Sequence, residues 1–545
     1  MGEQKPYSYH IFSFPFRWDY KADSKPLENI DYEHRTDLEK FTDALTNHKD
    51  ALKNSLWKRK QFKPDTAENY NQSSYFYGFA ADAMFDEADG KPIKDKILVS
   101  FQYEIKENTK YKISIYSKNF YGTYDLDIKK ITLNSYNTGV AVLSFHLENK
   151  KYLEYNQILR INEFGRRIFP AFLGENFDKD DVRKCLDAPR KKILAEKIEL
   201  QIGDKTIGGE ITYDEKVHFQ LPIFIQDLLP PNFKTKIENN NENVFYIRWL
   251  LDDRMFVTCW YGNDEFSNLL KENYEYKKSE EWYKYVFIDT NSVMCQHDQM
   301  MMELIELHTY RRFINWRTFY GVSRYSFVCL TSSLDTLKQN DADFIPIHLR
   351  NLYFQMVQLS LVQRASLLRF AEEVSFISTL KNNDKNTPQK IKDLNREYLQ
   401  FVNKMYFREV TAQEQGIELY DMIQDKMRID RDIKDLNHEI DELYQYANLL
   451  EEAKENRTMR NISIGGAILL LPSLIAAIFG MNTLNFENNE NIGCISLQLT
   501  IALPLLLISV FGIYLFKHKI IKAFLSVVLF YILIVYFLKN IYPLL

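Results

Sequence analysis

The sequence predicts a mixed α/β domain, then a long helical stalk, then C-terminal transmembrane helices. Three observations predict this. Runs rich in β-branched and aromatic residues recur before about residue 290. An apolar stripe steps by three and four from Leu419 to Leu450. From Ile462 onward the chain carries long runs without charge.

The elements come in order, with expected domains at 1–290, 291–412, 413–461 and 462–545. "KILVSFQYEI", "KYKISIYS", "DLDIKKITL" and "GVAVLSFHL" alternate in part, as strands do. "YLEYNQILRINEFGRRIF" has helical spacing, and "LPPNFKTKIENNNENVF", with Pro230, Pro231 and an Asn run, is a loop. From about 297 the pattern turns helical. "HDQMMMELIELHTYRRFINWRTFYG" reads as one helix ending near Gly321, then a long helix over 347–380 and another from about 389 to 412.

The stripe is Leu419, Met422, Lys426, Ile429, Ile433, Leu436, Ile440, Leu443, Ala447 and Leu450; only Lys426 is polar. No Pro or Gly lies between Glu418 and Ser463. One unbroken rod is expected, on the order of 90 Å long at 1.5 Å per residue. The apolar runs 462–480 and 495–516 each approach the length that spans a bilayer as helix, and a shorter third run, 521–538, is marginal.

Composition narrows the class. The formal net charge of -5 over 545 residues argues against direct nucleic-acid binding, which favours a basic surface. Cys185, Cys259, Cys295, Cys329 and Cys494 show no CxxC spacing, so buried thiols in a reducing compartment are expected. No phosphate loop, HExxH, GxSxG or dinucleotide fingerprint is present, and the expectation is not an enzyme. Cys295 and His297 are too isolated for a metal site.

The flanks set orientation. Lys454, Arg457 and Arg460 precede the first span, and Lys517, Lys519 and Lys522 come after the second. The loop between has no Lys or Arg and carries Glu487 and Glu490. The positive-inside rule puts the large N-terminal part in the cytoplasm and that loop outside, in a multi-pass inner-membrane protein surrounded by lipid.

The first span ends on Gly480-Met481-Asn482. A single helix forms no pore, whereas a closed ring of identical helices does. In such a ring the free carbonyls and helix dipole at the outer mouth favour cations, and glycine suits the helix end. Asn482 adds a neutral amide oxygen. That suits Mg²⁺, which gives up its water reluctantly and can be held through its hydration shell. Glu487 and Glu490 raise local cation concentration. Counting back from Asn482 at helical spacing gives a pore face of Ala477, Ser473, Leu470, Gly466, Ile462, Met459 and Asn456. Leu470, Ile462 and Met459 form an apolar constriction able to gate by dewetting; packing on neighbours is the plainer alternative. The same face continues as Glu452, Leu449, Gln445, Glu442, His438 and Asp435, either a cation funnel or a solvated helix face.

"SLIAAIFGMN", a short acidic loop and a second span, after a large cytoplasmic part, resemble the CorA family of magnesium channels. Gly480, Met481 and Asn482 match its Gly-Met-Asn motif residue by residue. The resemblance is motif-grade over about 415–516 and architectural upstream. It implies a homopentamer, a pore lined by the first span, a Gly-Met-Asn selectivity mouth, and Mg²⁺ as both cargo and regulator. The third run and the enlarged N-terminal region depart from the basic plan. The family's acidic Mg²⁺-sensing pairs do not map here; Asp180-Asp181 and Asp252-Asp253 are candidates, and ordinary surface carboxylates are the alternative.

"YSYHIFSFPFRW" and "INEFGRRIFPAFL" stand out upstream. Arg166 and Arg167, with Arg311 and Arg312 in "TYRRFINWR", lie beside aromatics and suit an anionic or nucleotide ligand. Arginines packed on an aromatic core are the alternative. These stretches are similar to a CorA-like branch associated with type III CRISPR systems. There a nucleotide second messenger, S-adenosylmethionine joined to AMP, acts on the membrane protein for antiviral defence.

Overall fold

The computed structural model describes residues 5–22, 35–47, 56–117, 120–169, 197–203, 205–210, 221–236, 243–251, 254–290, 293–379 and 387–480, with the backbone alone described at 116–117, 120–121, 210, 379, 467–469 and 471–480. The chain divides into two units, Met1–Tyr444 and Gln445–Leu545.

The first unit is organised by one sheet of fourteen strands among the described residues. In chain order these are β1 (Ser8–Lys21), β2 (Trp57–Arg59), β3 (Leu98–Tyr103), β4 (Lys110–Ser117), β5 (Phe120–Tyr136), β6 (Val140–Asn149) and β7 (Lys197–Ile202). They continue with β8 (Lys205–Glu210), β9 (Phe233–Lys234), β10 (Val244–Trp249), β11 (Phe256–Gly262), β12 (Thr309–Tyr310), β13 (Phe319–Ser323) and β14 (Ser326–Thr331). The main path runs β12-β13-β14-β11-β1-β6-β5-β4-β7-β8. Most neighbours are antiparallel, and β11 pairs β14 in parallel.

"SYHIFSFPFRWDYK" is the centre of this sheet. All fourteen residues of β1 are buried, as expected of a strand covered on both faces. Along one edge it pairs β6 from Ser8 to Arg17. Along the other it pairs β11 over Ser8–Ser13 and β10 over Phe16–Lys21. Pro15, which has no N–H to give, falls in the gap between those two partners. The two faces differ. Alternate residues Phe12, Phe14, Phe16, Trp18 and Tyr20 join the apolar core. The intervening Ser13, Arg17 and Asp19 carry polar groups, with Ser13 Oγ 2.9 Å from Ser144 Oγ.

The helices that matter for the site are α1 (Tyr155–Arg166), α2 (Asp298–His308), α3 (Phe354–Thr379), α4 (Thr387–Met405), α5 (Glu414–Met427) and α6 (Ile429–Gly480); shorter helices also pack on the sheet. The apolar face of β1 meets α1 so closely that a Cβ on Gly165 would lie 2.7 Å from Phe12 Cε2. On the polar face, α3 brings Glu373 to Arg17. Asp19 accepts from Arg17 Nε at 2.7 Å and from Arg35, and Glu373 accepts from Arg35 at 2.7 and 3.0 Å. Arg369 Nη2 reaches Asp19 at 3.4 Å. This buried ionic cluster ties α3 to the central strand.

Two expectations are corrected. The helix predicted from 297 to 321 stops at His308, and the chain returns to the sheet as β12, β13 and β14. The run from Thr318 to Thr331 is dense in aromatic and β-branched residues, and each residue of β13 and β14 is buried, so strand packing outweighs the weak helical spacing. The unbroken rod is really two helices. Arg428 adopts the left-handed conformation (φ 62°, ψ 31°) and its N–H closes on Gln424 and Asp425 carbonyls, ending α5.

The apolar stripe holds beyond that break. On α6, Ile429, Ile433, Leu436, Ile440 and Ala447 are buried. Tyr398 of α4 donates from its hydroxyl to the Ile433 carbonyl at 3.1 Å. On α5 the buried set is Leu419, Tyr420, Ile423, Gln424 and Met427, whereas Met422 and Lys426 are half-buried.

In the second unit, α6 continues to Gly480, 52 residues in all. Among the described residues no helix is long and apolar enough to cross a membrane. The predicted spans 495–516 and 521–538 lie outside the described residues.

Candidate functional site

The helix α6 carries the predicted pore face. Its continuity from Ile429 to Gly480 keeps Asn456, Met459, Ile462, Gly466, Leu470, Ser473 and Ala477 at spacings of three and four on one helical strip. Three large apolar side chains on the strip stand in the open: Met459 and Ile462 are each 64% exposed and Leu470 is 68% exposed. A Cβ on Gly466 would meet nothing within 4 Å. Exposed apolar groups in a row are the mark of an interaction surface. The side chains of Ser473 and Ala477, the residues Met481 and Asn482, and the loop carboxylates Glu487 and Glu490 lie outside the described residues; Gly480 is the last residue of α6.

Toward the helix start the strip turns polar. Asp435, His438, Glu442, Gln445, Leu449 and Glu452 are all exposed. His438 Nε2 lies 3.4 Å from Glu442 Oε1. Between Ile429 and Glu455 the sequence holds nine carboxylates against three Lys or Arg. This face lies across the helix from the buried stripe of Ile433, Leu436 and Ile440. The arrangement gives α6 an acidic wet side capable of concentrating cations.

The four arginines proposed as anion ligands are placed differently from one another. Arg166 and Arg167 are buried and both hold Glu163, at 2.9 Å each. Arg166 Nη2 also donates to the Ile288 carbonyl at 3.1 Å. Burial, opposed by Glu163 and reinforced by the nearby Arg167 and Arg254, pulls the Arg166 guanidinium down to about 10. Arg311 and Arg312 are exposed and pair with Glu306 at 2.6 Å and Glu418 at 2.7 Å respectively. The first pair shares one carboxylate, and the second pair is split between two. Asp180-Asp181 and Asp252-Asp253 lie outside the described residues.

Sequence reasoning passed over one acidic group. Asp82, Glu87 and Asp89 place oxygens within 4.8 Å of one another. Burial, with Asp82 and Asp89 adding to it, pushes the Glu87 carboxyl up. Lysines already serve these oxygens: Lys91 lies 3.0 Å from Asp82 and 3.1 Å from Asp89, and Lys96 lies 2.9 Å from Asp89. Cys259 and His10, another close pair at 3.5 Å, are sealed in the core. Burial lifts the Cys259 thiol to about 12 and lowers His10 to about 4. Neither is a nucleophile or base at neutral pH.

Residues 375–518 match the family model described as CorA-like Mg2+ transporter protein, a stretch that begins within α3 and takes in the stalk and the first two apolar runs. No curated protein matches the chain.

Proposed function

We propose that this chain, which belongs to the CorA family of Mg²⁺ transporters through residues 375–518, works as a homopentameric divalent-cation channel with α6 lining the pore. The observation that carries the reading is α6 itself. It runs unbroken to the glycine of Gly-Met-Asn and presents Met459, Ile462 and Leu470 uncovered on one strip, with an acidic strip leading to them. Five such strips facing one axis make an apolar constriction below a ring of Asn482 amides. Hydrated Mg²⁺ is the cargo that a neutral oxygen ring suits, with Co²⁺ and Ni²⁺ as permeant relatives. Met481 shapes the mouth, and Glu487 and Glu490 gather cations outside it.

The test is flux. Purified protein in liposomes loaded with a Mg²⁺ dye is compared with Asn482→Ala. Mg²⁺ entry through the wild type, with rate or ion preference altered in the variant, is the expected result. A well-folded wild type that passes no divalent cation at low internal Mg²⁺ removes the simple channel.

A second reading keeps the pore and adds a gate: a nucleotide-responsive effector of the CRISPR-associated kind. The size of the sheet unit, most of which precedes the matched residues, favours it. Arg166 and Arg167 are poor ligand groups for that messenger, because Glu163 already occupies both.

A further inference from the structure

A cavity of about 1140 Å³ opens beside the joint where α5 ends and α6 begins. Its walls come from the β13–β14 turn, the segment after α4, the last turns of α5 and the first turns of α6. Six Lys or Arg residues line it against four Asp. Two of the cations are engaged, Lys426 with Asp425 at 2.8 Å and Arg431 with Asp435 at 3.6 Å. Tyr406 donates to Asp430 at 2.8 Å, occupying a further carboxylate. Among the described residues, Arg324, Arg408, Arg428 and Lys434 make no ion pair. Lys426, the one polar residue in the apolar stripe, thus faces a polar cavity.

The floor supplies an independent sign of a ligand. Gln424 is 7% exposed. Its amide nitrogen donates to Ser360 Oγ at 2.9 Å and to Gln363 Oε1 at 2.6 Å. Its own Oε1 is buried without a hydrogen-bond partner. Buried polar atoms are almost always satisfied, so this oxygen awaits a donor. Arg428 meanwhile holds a left-handed backbone that a non-glycine residue rarely adopts.

We propose that this cavity binds a phosphate-bearing small anion, which sits among Arg324, Arg408, Arg428 and Lys434 and fixes the joint between α5 and α6. Guanidinium forks match phosphate oxygens geometrically, and the volume exceeds the roughly 300–1,000 Å³ of ordinary ligand sites. The shared chemistry is polyphosphate, free or carried by a nucleotide. A nucleotide adds a ring to lie by Tyr406. Only the consequence for conductance rests on the channel reading. The binding does not.

The experiment is calorimetric titration of the detergent-purified full chain, in buffer without Mg²⁺, with pyrophosphate and with ATP. Arg428→Gly removes a cation and suits the left-handed backbone, so it folds at least as well as wild type. Lys434→Ala removes a second, exposed cation. Each is expected to weaken binding about tenfold or more. Arg396→Ala, on the surface of α4 and paired with Asp393, leaves it unchanged. Equal affinity for the two probes assigns the site to polyphosphate alone. ATP tighter by about tenfold assigns it to a nucleotide. No binding of either probe at about 1 mM, or binding that survives both substitutions, overturns the proposal. Liposome flux is then a separate measurement, so a failed channel and a failed site read out differently.

Discussion

Glu372 and Glu373 are adjacent on α3, yet their removal should differ by several kcal/mol. The Glu373 side chain is 6% exposed, accepts from Arg35 at 2.7 and 3.0 Å, and pairs with Arg17. Glu372 is 45% exposed and accepts from Arg17 at 3.3 Å and from Arg248. Glu373→Ala leaves Asp19 as the remaining fully buried carboxylate facing Arg17, Arg35 and Arg369. Breaking one partner out of a buried ionic group costs about 3–5 kcal/mol, because an uncompensated charge stays behind. Glu372→Ala removes a solvated pair worth about 0–1 kcal/mol. The assay is thermal unfolding monitored by tryptophan fluorescence, since Trp18, Trp57, Trp260 and Trp282 are fully buried. At about 2 °C per kcal/mol in a large unit, Glu373→Ala should lower the midpoint by about 6–10 °C and Glu372→Ala by about 2 °C or less. Equal midpoints for the two variants would refute the reasoning, and with it the role of the cluster in tying α3 to β1.

The same region and α6 give three further expected outcomes. Gly139→Ala should destabilise by about 2 kcal/mol or more, because Gly139 has φ +71° and a Cβ there would lie 2.1 Å from Arg369 Nη1; the same unfolding assay checks it. Burial, only partly opposed by Arg369, raises Glu397 to about 7, above its ordinary value of 4.5. A raised acid favours the folded state below the unfolded value and loses that contribution as pH rises to about 7, so Glu397→Gln should flatten the fall in stability between those pH values, read as melting midpoint against pH. Ile462→Ser should raise resting Mg²⁺ leak in liposomes if the apolar strip gates by dewetting; unchanged leak with intact flux would move the gate elsewhere.

Much of this was legible where local pattern and packing agree. The four early runs are β3 to β6, and the stripe from Ile429 to Ala447 is the buried face of α6. What escaped was decided by tertiary contact. "FYGVSRYSFVCLT" adjoins a helical spacing, and the hairpin of β13 with β14 together with the parallel pairing of β14 with β11 selects strand. The break at Arg428 has no glycine or proline to announce it. Only the tertiary structure shows it: Ile429 and Ile433 are buried just past the break, and Tyr398 of α4 donates to the Ile433 carbonyl. Arg166 and Arg167 look like ligand groups in sequence, since the partner Glu163 lies one helical turn back and its burial does not show in the spacing. The cavity by Arg428 assembles residues more than a hundred positions apart, from Arg324 to Asp435, and no linear motif could reveal it.

The length of α6 has a mechanical consequence. Fifty-two residues at 1.5 Å each make a strut of about 78 Å. It is not uniform along its length: Gly465 and Gly466 weaken it locally, and Pro472 lacks the N–H for one rung of the hydrogen-bond ladder. Those positions sit among Ile462, Gly466 and Leu470 of the strip, so that is where bending the helix costs least. At its other end the joint with α5 is a single residue, Arg428, whose left-handed backbone stores strain rather than slack.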